Sequence, residues 1–177
     1  PPAFSGQKRS TLHTGEFLTI SPQILMANYA INGFGRIGRN VLRALLQNGE
    51  LEKVVAINDL TDNKTIAHLL KYDSSQGKLD ADVSFDEKHI IVNGHKIVAL
   101  AQRDPAQLPW AELKVDVVLE STGFFASQAG SQKHIDAGAK KVLISAPAPD
   151  PDLMMCIGIN DDQYDASKHN IVSNASC

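Results

Sequence analysis

A glycine-rich turn constrains the fold of this chain more than any other part of its sequence. Gly33, Gly35 and Gly38 follow a short apolar run at the spacing G-x-G-x-x-G. Directly after the turn, every fourth residue from Ile37 to Leu45 is apolar, which is the spacing of one helix face. The pattern predicts a strand, a tight turn and an amphipathic helix in direct succession.

A second β-branched run at residues 54–57 completes a β-α-β unit of the kind that binds dinucleotides. In such a unit the first glycine permits the turn, and the second lets a pyrophosphate approach the backbone. The third lets the helix lie close to the strand. The N–H groups at the start of the helix are then available to bind the phosphates.

An acidic residue stands at the end of the second predicted strand. Asp59 lies 21 residues after Gly38, where a carboxylate accepts hydrogen bonds from the hydroxyls of the adenosine ribose. Since a carboxylate also repels a 2′-phosphate, this position favours NAD over NADP. The alternative, a glycine-rich turn in an ordinary α/β domain, leaves the spacing of Asp59 unexplained.

Composition excludes several classes of protein. The 177 residues are 43% hydrophobic and 21% charged, as in a globular protein of one domain or slightly more. The net charge of −3 gives no reason to expect a nucleic acid or an anionic membrane as partner. With Cys156 and Cys177 as the only cysteines, we expect a reducing compartment and a cytoplasmic location.

The chain divides into two unequal parts. Residues 1–25 are polar, lack a sustained period and are interrupted by proline and glycine. We interpret them as a leader, a tag or a disordered extension before Met26, with a transit peptide as the less favoured alternative. Residues 26–177 form the predicted NAD-binding domain.

The order of elements in residues 26–177 predicts the fold class. After the first β-α-β unit come a helix, a hairpin around Asn93-Gly94, a second β-α-β unit, and short strands at 154–159 and 171–172. We therefore expect an α/β protein with a Rossmann-like doubly wound, mostly parallel sheet and an inserted β-hairpin. His89 and His95 flank the hairpin turn, and surface positions suit them better than a metal site.

Short polar segments follow two further predicted strands. Ser121-Thr122-Gly123 comes after the apolar run 115–119, and Ser145 comes after the run 142–144. Ligands of open α/β sheets bind at the carboxyl ends of strands. Trp110, in the loop before the first of these strands, is expected to be a core residue rather than a stacking platform.

A series of motifs in one order then resembles a known family. They are Asn32 to Arg39 (NGFGRIGR), Asn58-Asp59, Lys71 to Ser74 (KYDS), Arg103-Asp104-Pro105, Ser121-Thr122-Gly123, Gly138 to Val142 (GAKKV) and Ser173 to Cys177 (SNASC). Together these motifs are similar to the N-terminal half of phosphorylating glyceraldehyde-3-phosphate dehydrogenases. The resemblance covers about residues 27–177, and its two end motifs are highly specific in combination.

The resemblance implies a role for particular residues. Those implied to bind the cofactor NAD are Gly33, Phe34, Gly35, Arg36, Ile37, Asp59, Arg103, Thr122 and Ser145. Arg36 and Ile37 would hold the pyrophosphate through their backbone, and Arg103 would lie along the adenine. Cys177 matches the catalytic nucleophile, with Ser176 beside it in the substrate site. No metal site is implied.

The resemblance also implies a reaction and an assembly. A thiolate attacks the aldehyde of D-glyceraldehyde 3-phosphate, and a thioester holds the acyl group until inorganic phosphate takes it. The family is glycolytic and typically homotetrameric. Its catalytic base and phosphate-binding residues lie beyond residue 177, so we expect this fragment alone to be inactive and to bind NAD weakly at best.

Two alternatives remain open at this point. Erythrose-4-phosphate dehydrogenases share the opening motif and the final pentapeptide, although Arg103-Asp104-Pro105 fits the glyceraldehyde-3-phosphate enzymes better. A non-catalytic nucleotide-binding module that ends at a cysteine is the alternative from a different class.

Overall fold

The computed structural model describes residues 27–174. Its strands are β1 (Tyr29–Asn32), β2 (Val54–Asn58), β3 (Tyr72–Asp73), β4 (Gly77–Lys78), β5 (Val83–Phe85), β6 (His89–Val92), β7 (His95–Leu100), β8 (Val117–Glu120), β9 (Lys141–Ile144), β10 (Leu153–Met155) and β11 (Ile171–Asn174). The α-helices in this range are α1 (Arg36–Gln47), α2 (Asn63–Lys71) and α3 (Gln128–Asp136). None of them is long and apolar enough to cross a membrane.

A single large sheet organises the described part of the chain. Its strand order is β10-β11-β9-β8-β1-β2-β7-β6-β5. Every neighbouring pair from β10 to β7 is parallel, and the pairs of β6 with β7 and β5 are antiparallel. The chain winds outward in both directions from β1, which confirms the predicted doubly wound, mostly parallel sheet. The switch in direction lies between β1 and β8.

The predicted hairpin is present and belongs to the main sheet. Asn93 and Gly94 connect β6 to β7 with φ angles of 49° and 83°, as a type I′ turn requires. One arm, β7, pairs in parallel with β2, while β6 and β5 continue the sheet to its edge. The insertion therefore extends the nucleotide-binding sheet. His89 contacts Asp86 through Nδ1 at 2.9 Å, and His95 contacts the carbonyl of Val54 through Nε2 at 2.9 Å.

Apolar residues pack against both faces of the sheet. On one face, β1 and β2 contribute Ile31 and Ile57 to a core that includes Leu42 of α1 and residues of α2. On the other face, a second core contains Trp110 and packs against α3. Trp110 is fully buried, which confirms its prediction as a core residue. The two layers leave the carboxyl edge of the sheet accessible.

Helix α1 lies close to the sheet because of Gly38. A Cβ at this position would collide with the carbonyl oxygen of Gly33 and approach the Ile31 side chain to 3.0 Å. The helix ends in a Schellman motif, in which the N–H of Glu50 donates to the carbonyl of Leu45 at 2.8 Å. Its buried side is centred on Gly38 and Leu42. Ile37 is 49% exposed although it begins the apolar repeat.

Two regions differ in extent from the sequence pattern. The sequence pattern predicts a helix over residues 132–137, whereas α3 begins at Gln128. The Ser127 side chain caps it by accepting a hydrogen bond from the N–H of Gly130 at 3.1 Å. The strand predicted at 154–159 is wrong beyond Met155. There the N–H of Cys156 donates to Oδ1 of Asn160 at 2.7 Å, which turns the chain out of the sheet.

Candidate dinucleotide-binding site

A cavity of about 530 Å³ opens at the carboxyl edge of the sheet. Its lining comes from the ends of β1, β2 and β8 and from the loop after β7. The lining residues are Asn32, Gly33, Gly35, Asn58, Asp59, Leu60, Gln102, Arg103, Ser121, Thr122, Phe124 and Phe125. The cavity therefore lies at the switch point of the sheet, where open α/β folds bind their ligands.

The glycine turn forms the part of the cavity wall that follows β1. Gly33 has a φ of 89°, and its N–H donates to the carbonyl of Asn58 at 2.8 Å. A Cβ on Gly33 would lie 2.7 Å from the backbone nitrogen of Thr122, so the turn fits directly against the end of β8. Gly35 is different, since a Cβ there would meet no atom within 4 Å. Its backbone is open to a bound group.

The carboxylate of Asp59 is tied to the glycine turn. Its Oδ2 accepts the N–H of Phe34 at 2.7 Å, and its Oδ1 accepts the N–H of Thr61 at 2.9 Å. Each carboxylate oxygen has a further lone pair. The side chain lines the cavity, and it is oriented there to accept hydrogen bonds from a hydroxyl-bearing ligand.

Five of the residues predicted to bind the cofactor meet at the cavity. They are Gly33, Gly35, Asp59, Arg103 and Thr122. The side chain of Phe34 is buried beneath the turn, and Arg36 and Ile37 are exposed in the first turn of α1. The first N–H groups of that helix lack partners within the helix and favour an anion.

The other predicted residues lie elsewhere. Ser145 follows β9, and its N–H donates to the carbonyl of Glu120 at 3.0 Å. It is at the carboxyl edge of the strand next to β8, outside the lining of the cavity. Ser176 and Cys177 are outside the residues that the structure describes.

Apolar side chains flank the polar groups of the cavity. Phe124 is 88% exposed and Leu60 is 57% exposed. Phe125 is less exposed, and its ring lies nearly perpendicular to the ring of His134 at a centroid distance of 6.4 Å. Large apolar side chains exposed to this degree beside a cavity provide surface on which a flat, partly apolar ligand can pack.

A buried hydrogen-bond network beneath the cavity was not predicted. Asn32, Asn58 and Glu120 are the last residues of β1, β2 and β8. The Nδ2 of Asn58 donates to Oδ1 of Asn32 at 2.7 Å, and the Nδ2 of Asn32 donates to Oε2 of Glu120 at 2.6 Å. A polar residue at the end of three apolar strands is the sequence signal that would have indicated this network.

The network continues into the core through His134 and Trp110. The indole N–H of Trp110 donates to Nδ1 of His134 at 2.9 Å. Because an indole nitrogen is only a donor, Nδ1 is an acceptor and the proton of the neutral ring is on Nε2. That N–H donates to Oε2 of Glu120 at 3.1 Å. The three side chains are almost completely buried.

Glu120 is ionised in these surroundings. Burial raises the pKa of the carboxyl, but hydrogen bonds from His134, Thr122 and Asn32 outweigh this effect and bring the pKa below its ordinary value of 4.5. Both the N–H and the hydroxyl of Thr122 donate to Oε1 of the same carboxylate. A buried charge with this number of donors favours the folded state only while it is ionised.

We expect acid to reduce the stability difference between the parent chain and a Glu120→Gln variant. The pKa of Glu120 is lower in the folded than in the unfolded chain. Its contribution is therefore complete above the unfolded pKa and is lost as the pH falls through the folded pKa. The glutamine does not titrate. Urea unfolding of both chains from about pH 7 to about pH 3 measures the difference. If the difference in free energy of unfolding between the two chains stayed constant over this range, ionisation of Glu120 would not stabilise the folded state.

Comparison with known proteins adds an independent result. A family model described as the NAD binding domain of glyceraldehyde 3-phosphate dehydrogenase matches residues 27–128. The chain is 59% identical over 152 residues to glyceraldehyde-3-phosphate dehydrogenase 1 of Bacillus cereus, and this match covers 86% of this chain and 45% of that protein. It is 60% identical over 147 residues to glyceraldehyde-3-phosphate dehydrogenase of Priestia megaterium, and this match covers 83% of this chain and 44% of that protein.

These similarities extend over the cavity. The matched range includes the glycine turn, Asp59, Arg103 and Thr122, and the model that matches it is that of an NAD-binding domain, which supports NAD as the cofactor. The chain spans a little under half the length of the curated relatives it matches. The predicted resemblance is confirmed, and the chain belongs to the glyceraldehyde-3-phosphate dehydrogenase family.

Proposed function

We propose that residues 26–177 are the NAD-binding part of an enzyme that oxidises and phosphorylates D-glyceraldehyde 3-phosphate. The observation that carries this proposal is the joining of Asp59 to the glycine turn through the N–H of Phe34. This bond brings a hydroxyl-binding carboxylate and a phosphate-binding backbone to one cavity. The open space at Gly35 is what an approaching pyrophosphate needs.

Different residues are proposed to bind different parts of NAD. The backbone of Arg36 and Ile37, at the start of α1, would hold the pyrophosphate. Asp59 would accept hydrogen bonds from the adenosine ribose, and Arg103 would lie along the adenine. Thr122 and Ser145, at the ends of neighbouring strands, would border the nicotinamide side.

Bound NAD supplies the oxidant of the reaction, as the acceptor of a hydride from the substrate. Cys177 is the proposed nucleophile, which attacks the aldehyde carbon and carries the acyl group as a thioester until inorganic phosphate removes it. Ser176 would contribute to the same substrate site. In support, Cys177 is three positions after Asn174, where β11 ends at the carboxyl edge of the sheet.

The complete enzyme is proposed to be a cytoplasmic homotetramer, as is typical of the family. For the chain on its own we propose weak NAD binding and negligible turnover. In the family, the base that activates the thiol and the groups that hold the substrate phosphate lie beyond residue 177.

Calorimetric titration of the full chain with NAD and NADP tests the cofactor assignment. We expect NAD to bind more tightly, because the Asp59 carboxylate repels a 2′-phosphate. Asp59→Ala should weaken NAD binding by about tenfold or more and reduce the preference over NADP.

Asp62→Ala is the matched control for this experiment. Asp62 is three residues away and caps α2 through the N–H of Thr65, but it does not line the cavity. Its removal should reduce stability by about 1 kcal/mol and leave NAD affinity unchanged. Equal affinity of the parent chain for NAD and NADP would remove the role given to Asp59.

A further inference from the structure

Two residues of the cavity wall are held by one carboxylate that does not line the cavity. Asn32, at the end of β1, and Thr122, after β8, both line it. Asn32 donates to Oε2 of Glu120 at 2.6 Å, and Thr122 donates to Oε1 through its N–H at 2.8 Å and through its hydroxyl. Glu120 itself is 1% exposed. The carboxylate thus connects the two strands between which the cavity opens.

An ionised carboxylate only accepts hydrogen bonds, so it determines the orientation of the Asn32 amide. The Nδ2 of Asn32 must face Glu120, and Oδ1 of Asn32 is left to accept from Asn58 at 2.7 Å. Oδ1 of Asn58 then accepts the N–H of Gln102 at 2.8 Å. The Nδ2 of Asn58 also donates to the carbonyl of Gln102 at 2.9 Å, so the carboxylate and the Gln102 backbone fix the row of cavity-lining amides from its two ends.

His134 fixes the same carboxylate from the core. Its ring can donate only through Nε2, because Nδ1 accepts from Trp110 at 2.9 Å. All groups that face Glu120 are therefore donors: the amide of Asn32, the imidazole of His134, and the backbone and hydroxyl of Thr122. An NH2 group at position 120 would find no acceptor in this arrangement unless the Thr122 hydroxyl rotated or the Asn32 amide turned over.

We propose that Glu120 is a positioning residue for the dinucleotide, which it orients through Thr122 and Asn32 without contacting it. This inference rests on the proposed function, since it assumes that NAD occupies the cavity. The carboxylate holds Thr122 in the turn after β8 and sets the direction of the Asn32 amide. Replacement by glutamine places an NH2 group among the donors and loosens the hold on Thr122.

The main test compares NAD affinity in a double-mutant cycle on the full chain. We expect Glu120→Gln to weaken NAD binding by about tenfold and Thr122→Val by about threefold. If Glu120 acts through Thr122, the double variant should remain about tenfold weaker than the parent. A double variant weaker by the product of the two factors would overturn the proposal. Thr122→Ser keeps the hydroxyl and should retain parental affinity.

Asp116→Asn is the matched control. Asp116 lies just before the start of β8, at the opposite edge of the sheet, where it accepts the N–H of Asn28 at 2.8 Å and pairs with Lys140 at 2.6 Å. Its replacement should reduce stability without changing NAD affinity. If Asp116→Asn and Glu120→Gln weaken NAD binding equally, Glu120 contributes only to stability and the proposal fails.

A measurement without NAD keeps the proposal separate from the proposed function. Hydrogen exchange of the Thr122 amide, followed by NMR, should be about tenfold faster in Glu120→Gln than in the parent and unchanged in Asp116→Asn. If the parent chain fails to bind NAD, the proposed function is wrong, and the exchange result still decides whether Glu120 holds Thr122 in place. Equal exchange rates of the Thr122 amide in the parent and in Glu120→Gln would overturn the proposal. If the parent binds NAD, an unchanged NAD affinity in Glu120→Gln would overturn it as well.

Discussion

Gly33→Ala should lower the free energy of unfolding of the chain by about 2–6 kcal/mol. The residue has a φ of 89°, and an added Cβ would lie 2.7 to 2.9 Å from three backbone atoms of Ser121 and Thr122. A left-handed backbone with a side chain costs about 1–3 kcal/mol, and a clash with a rigid backbone costs about 1–3 kcal/mol more. The sum is a large part of the stability of a domain, about 5–15 kcal/mol. Urea unfolding followed by circular dichroism measures the loss.

Gly94→Ala separates the two causes. Gly94 also has a positive φ, 83°, but a Cβ there would meet no atom within 4 Å. This variant should lose only the backbone contribution to the free energy of unfolding, about 1–3 kcal/mol. If Gly33→Ala were no less stable than Gly94→Ala, the close approach of the glycine turn to the end of β8 would be wrong.

The architecture was predictable because it depends on local patterns. Glycines at fixed spacing, a helix-length apolar repeat and Asn93-Gly94 each specify a local backbone geometry, and their order specifies a doubly wound sheet. The ends of helices and strands were less predictable where a side-chain hydrogen bond determined them. Ser127 extends α3, and Asn160 ends β10, through hydrogen bonds that no periodic pattern encodes.

The candidate site was predictable in part for the same reason. Asp59 could be found by its spacing from Gly38, because the length of a β-α-β unit is nearly constant. Spacing carries no information on pairs far apart in sequence. Asn32 and Glu120 are 88 positions apart, and His134 is 102 positions from Asn32. Their meeting depends on the parallel pairing of β1 with β8 and on the packing of α3.

Trp110→Ala should cause a loss of stability comparable to that of Gly33→Ala. The indole is fully buried in the core beside α3, and removal of a core tryptophan leaves a cavity that costs about 3–5 kcal/mol. The variant also leaves Nδ1 of His134 without its donor in a region closed to water. Circular dichroism is the appropriate probe, since Trp110 is the single tryptophan of the sequence.

Trp110→Phe separates the hydrogen bond from the packing, and Phe124→Ala is the control for removal of an exposed aromatic side chain. Phenylalanine keeps most of the buried volume and removes the N–H, so its loss, about 1–2 kcal/mol, reports the hydrogen bond to His134. Phe124 is 88% exposed, and its removal should change stability by about 0.5 kcal/mol or less. Since His134 also donates to Glu120, we expect Trp110→Phe to weaken NAD binding as well. If Trp110→Phe changed only the stability, the indole would contribute to packing and not to the positioning of Glu120.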